Sequence, residues 1–162
     1  MTIREFYKTT GGDYDDIFRR IPSDSMITKF LLKFSTDPSY AALAAAREKH
    51  DRDGAFLAAH TLKGVAATLG LKKLAESAAR LADALRHSSG FPDNALFDAV
   101  ADAYDRVIAQ LAALRDAMQG DRAQKEALLT DYEQQIADIT AQREAQLCEI
   151  ERLDAQTQQR RE

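Results

Sequence analysis

One cysteine, three prolines, seven glycines and no tryptophan occur among the 162 residues of this chain. The lone thiol, Cys148, excludes an internal disulfide and any cysteine cluster for zinc, and it reads as an unreactive surface group. Scarce Pro and Gly beside abundant Ala and Leu, without any alternating apolar run, point to an all-α class. No apolar stretch approaches bilayer length, and residues 1–6 lack the apolar core of a secretory signal, so a cytoplasmic protein without a membrane partner is expected. Positive charge is not in excess either. A net charge of −4 and a pI near 5.4 argue against nucleic acid as the main partner. There is no phosphate-cradling glycine loop and no His–carboxylate pairing at helical spacing, so neither a nucleotide, another cofactor nor a metal is expected.

What the chain does hold is a series of amphipathic segments. Residues 2 to 8 predict a short helix ended by Gly11-Gly12, followed by an Asp-rich turn and a short Ile17-Phe18-Ile21 segment ended at Pro22. From Asp24 or Ser25, Ile27, Phe30, Leu31 and Phe34 recur at helical spacing. Asp37-Pro38 then offers a cap with proline at the first helical position, opening a helix to about Lys49 with Tyr40, Leu43 and Ala44 inward. A helix through residues 55–69 follows Asp53-Gly54 and ends at Gly70, a left-handed terminator. Leu71, Leu74, Ala78, Leu81 and Leu85 stripe the next helix, which stops before Ser88-Ser89-Gly90-Phe91-Pro92. The last core helix opens near Asp93 or Asn94 and carries Phe97, Val100, Tyr104, Val107, Ile108, Leu111, Leu114 and Met118. Short connections make neighbours antiparallel, which predicts an up-and-down antiparallel four-helix bundle over residues 1–119, with short N-terminal helices.

His60 stands out within the 55–69 helix. With Leu62 as the core centre, Ala55, Ala58, Val65, Ala66 and Leu69 fall within roughly 60° of it at about 100° per residue, whereas His60 falls about 160° away. On that outward face lie Gly64, Ala67, Phe56 and Leu57, with Lys63 to one side. A glycine inside a helix costs roughly 1 kcal/mol relative to alanine, so it marks a place that something must approach closely. Small and apolar residues around one imidazole, with a single lysine, read as a protein-docking patch rather than a solvated surface. His50 and His87 are expected in the last turns of their helices, where the dipole favours a cation.

From Gly120 the composition turns Gln- and Glu-rich. Asp121 with Gln124 resembles a capping box, and a separate helical extension is expected over residues 120–162. Leu129, Ile136 and Ile150 share one heptad phase, and Tyr132, Ile139 and Leu153 the complementary one. Arg143 and Gln146 interrupt both. The seam suits self-association or partner binding through residues 121–162; a solvated tail helix is the alternative.

The run Ala59-His60-Thr61-Leu62-Lys63-Gly64-Val65-Ala66-Ala67-Thr68-Leu69-Gly70-Leu71 resembles the phosphoacceptor signature of histidine-containing phosphotransfer (HPt) domains, His-x-x-Lys-Gly followed by small residues and a glycine. The likeness extends more loosely from the N-terminus to about Met118. It implies a phosphoryl carrier without kinase activity, which takes phosphate on His60 from the aspartate of one receiver domain and gives it to the aspartate of another. The magnesium ion of the transfer would then belong to the receiver. In that reading Lys63 stabilises charge on the phosphoryl oxygens, Gly64 leaves clearance for the receiver, and Phe56, Leu57, Thr61 and Ala67 form docking contacts. Imidazole is a nucleophile that needs no dedicated base, and phosphoryl transfer demands mainly alignment and charge compensation. Two other classes remain open: an unphosphorylated helical adaptor using the same face and the tail, and a hydrolase using His60 as general base. The hydrolase lacks a carboxylate orienter and a nucleophile partner.

Overall fold

A computed structural model describes residues 1–87 and 90–159, and every regular element among them is an α-helix. In chain order these are α1 (Ile3–Thr10), α2 (Tyr14–Arg20), α3 (Asp24–Phe34), α4 (Ser39–Glu48), α5 (Arg52–Thr68), α6 (Lys72–His87) and α7 (Asn94–Gln159). The chain divides into two compact units, Met1–Ala117 and Met118–Glu162.

Side-chain caps set where most of these helices begin. Thr2 and Glu5 form a reciprocal capping box on α1, the Thr2 amide donating to Glu5 Oε2 at 2.7 Å and the Glu5 amide to Thr2 Oγ1 at 3.2 Å. Asp13, Ser23 and Asp51 accept the third-residue amide of α2, α3 and α5. Such caps are each worth about 1 kcal/mol. Because Asp51 is the cap, α5 starts earlier than Asp53-Gly54 suggests. Pro38 sits one place before the first helical residue of α4, and Asp37 Oδ1 accepts the Ser39 amide at 2.9 Å.

Other departures from the sequence reading follow from packing. Ala44 is exposed and Ala46 takes the core position on α4. Phe30 is 40% exposed, because it borders a groove instead of filling the core. His50 lies beyond α4 in a left-handed conformation (φ 53°), its ring 5.2 Å from that of Phe91. It therefore ends the helix by its backbone, outside the last helical turn. Met118 is exposed. Gly120 and Asp121 lie inside α7, so Asp121 caps nothing. Ser88 and Ser89, expected to end α6, lie outside the described residues.

The core of the first unit is built from the stripes the periodicity predicts. Ala55, Ala58, Leu62 and Ala66 of α5 meet Leu74, Ala78, Leu81 and Leu85 of α6, with Phe97, Val100, Val107 and Leu111 of α7 also buried. Contacts at helix ends fix directions. Arg52, at the start of α5, donates through Nε to the Leu85 carbonyl near the end of α6 at 2.9 Å, so the two helices run antiparallel. Near the start of α4, Tyr40 stacks on Tyr104 (3.8 Å between centroids, 12° between planes). Near its end, Arg47 reaches Asp98 at 2.9 Å and Asn94 at 3.1 Å. The α4 helix is therefore antiparallel to the first part of α7.

Candidate functional site

The exposed face of α5 carries the candidate residues. His60 is exposed at mid-helix, and its ring lies 5.9 Å from that of Phe56, tilted by 33°. Phe56 is half-buried against the core, which fixes one wall of the imidazole's surroundings. Leu57 is 67% exposed. Ala67 and Thr61 are exposed as well, and the Thr61 hydroxyl donates to the Leu57 carbonyl at 2.8 Å. Lys63 is half-buried at the edge of the face. An ideal Cβ placed on Gly64 meets no atom within 4 Å, so nothing inside the fold requires glycine there.

Two apolar grooves flank this face on the side of α3 and α4. One, of about 560 Å³, is lined by Phe30, Phe34, Gly64, Val65 and Leu69 among others. The other, of about 500 Å³, runs along Ala42, Ala45, Leu57 and Ala58. Thr61 borders both. The α6 side contributes a cation through Phe56. The Arg86 guanidinium carbon lies 5.2 Å from the centroid of the Phe56 ring, on the aromatic that His60 also faces. Sequence reading missed Arg86, since only the packing of α6 on α5 brings it there; its position in the last turn of α6 was the sole local signal.

A sequence profile of the Hpt domain matches residues 32–119, which include the His60 face, Arg86 and every lining residue of the two grooves named above except Phe30. The chain belongs to the Hpt domain family. No curated protein and no solved structure matches it significantly. Hpt domains are helical phosphocarrier modules of two-component phosphorelays, distinct from kinases, and the all-α architecture here agrees with that membership. No helix among the described residues is long and apolar enough to cross a membrane.

The Hpt match begins after α1 and α2, yet these two helices hold the end of α5. The last carbonyls of a helix have no partner within it and need donors from elsewhere. Arg20 of α2 donates to the Thr68 carbonyl at 3.0 Å and to that of Ala67 at 3.4 Å. The buried Tyr7 hydroxyl donates to the Leu69 carbonyl at 2.7 Å, and the Asp13 amide to that of Gly70 at 2.9 Å. Burial pushes the Tyr7 hydroxyl well above the usual tyrosine range, so it remains a donor at any physiological pH. Asp13 also binds Lys72 Nζ at 3.0 Å. Its carboxyl is held below the ordinary range first by the Asp16 amide and then by Lys72. The strand-free N-terminal segment is thus a clamp on the helix that presents His60.

Proposed function

We propose that His60 is the phosphoacceptor of a two-component phosphorelay, receiving a phosphoryl group from the aspartyl phosphate of one receiver domain and passing it to the aspartate of another. The observation that carries this reading is an exposed mid-helix imidazole next to a glycine with open space above it, inside the Hpt match. In the transfer, a ring nitrogen of His60 forms a bond to phosphorus as the phosphorus–oxygen bond to the aspartyl carboxylate breaks, and that carboxylate leaves with the electron pair. The reverse step loads the second receiver. Charge on the three equatorial oxygens is offset by fixed cations, the role assigned to Lys63 and shared by Arg86. The magnesium ion would come with the receiver, and this chain would need no cofactor of its own.

Receiver docking uses the apolar side of the face. Leu57, Thr61 and the two grooves supply shape and apolar area, Phe56 and Ala67 extend the patch, and Gly64 lets the receiver's loop reach the imidazole. Receivers of hybrid sensor kinases and of response regulators are the partners this chemistry fits, in the cytoplasm.

The test is transfer of labelled phosphate from phosphorylated receiver domains to the purified chain beside its His60→Gln variant. Acid-labile label on the wild type alone is expected, because a phosphoramidate is acid-labile. Absence of label from a full set of the organism's receivers, with the protein folded, would leave an unphosphorylated adaptor as the better account.

A further inference from the structure

The second unit carries an exposed apolar stripe. Leu129, Tyr132, Ile136, Ile139, Ile150 and Leu153 are each between 48% and 65% exposed. They occupy the a and d positions of one heptad register, in which the remaining two seam positions, Arg143 and Gln146, are polar. Arg122 and Lys125 hold the preceding a and d positions and so bound the stripe on that side. A helix this apolar on one side gains most by covering that side with another helix.

We propose that the stripe is the interface of an antiparallel homodimer of this chain, centred near Ala141. The seam reads Leu-Tyr-Ile-Ile-Arg-Gln-Ile-Leu, and its reversal sets every polar residue against an isoleucine. Leu129 meets the second copy's Leu153, Tyr132 meets Ile150, Ile136 meets Gln146, and Ile139 meets Arg143. Each polar side chain can then lay its aliphatic stem on isoleucine while its polar end reaches water. In the parallel in-register arrangement identical residues meet. Arg143 would then face its own copy beside a Gln146 pair, placing two polar layers in succession at the middle of the seam.

The flanking charges favour the same direction. Parallel pairing puts Asp121 beside the second copy's Glu126, and Glu149 beside its Asp154, like charges both times. In the antiparallel dimer Gln135 meets Glu149 and Gln142 meets its own copy. The one like-charged pair left is Glu126 with Asp154, and Glu126 already holds Arg122 at 2.7 Å.

Sedimentation of the full chain tests association, with a species near twice 18.0 kDa expected and a shift to monomer for Ile136→Asp and Ile150→Asp. Direction is tested in a Cys148→Ser background, which removes the chain's one native thiol. Leu129→Cys and Leu153→Cys should form a disulfide when mixed, and neither should cross-link alone. A monomer at all concentrations overturns the dimer, and cross-linking of either variant with itself overturns its direction. Circular dichroism of each variant separates lost association from lost helix. Phosphate acceptance by His60 is read on the same samples, so this proposal and the phosphorelay reading fail independently.

Discussion

Alanine substitution at two glycines of the His60 motif should have opposite consequences. Gly64 lies inside α5 with no atom within 4 Å of an added Cβ. Gly64→Ala therefore gains helix propensity without a clash, about 1 kcal/mol, part of it from the narrower unfolded ensemble. In the proposed transfer the same methyl sits where a receiver would approach. Overpacking a close contact costs about 1–3 kcal/mol, which corresponds to roughly 5- to 150-fold slower transfer. Gly70 is the reverse case, since its φ of +70° is left-handed and an added Cβ lies 3.0 Å from the Asp13 carbonyl oxygen. Gly70→Ala should lose about 1–2 kcal/mol from the backbone conformation alone, and more from crowding. Urea unfolding followed by circular dichroism gives the stability of each variant, and receiver-to-chain transfer under single-turnover conditions gives the rate. A Gly64→Ala protein that is more stable and transfers at the wild-type rate would refute the clearance role. One that is less stable would refute the openness of the site.

Arg86→Ala should slow phosphoryl transfer about tenfold, the effect of losing one fixed charge worth about 1.4 kcal/mol, with Arg86→Lys intermediate; an unchanged single-turnover rate would remove Arg86 from the site. Tyr7→Phe deletes the buried hydrogen bond to the Leu69 carbonyl and should cost about 1–3 kcal/mol in urea unfolding while the folded protein still accepts phosphate. Because the Asp13 carboxyl is depressed by the Asp16 amide and Lys72, its stabilisation is full above about pH 4 and is lost as pH falls through the folded value. Asp13→Asn retains an oxygen for the cap but not the charge. Wild type and variant should therefore differ in stability at pH 7 and converge on acidification below about pH 4, and a constant difference across that range would refute the assignment.

Periodicity alone determined the helical class, the stripes that form the core, and the outward direction of His60, because these depend only on rotation per residue along one helix. Leu62, Leu74, Ala78, Leu81 and Leu85 are buried as their spacing requires, and Leu57, Thr61, Gly64 and Ala67 lie open beside His60. The His-x-x-Lys-Gly spacing was enough to indicate the family. What spacing cannot encode is which side chains from other helices arrive at the same place. Only the packing of α6 on α5 brings Arg86 to Phe56, and only the fold of α1 and α2 brings Tyr7, Asp13 and Arg20 to the carbonyls that end α5. Ala44 and Ala46 differ in burial although their composition is identical, because a neighbour covers one of them. Helical rotation is a property of the local chain, whereas a site assembled from separate helices exists only once their apolar faces have closed on one another.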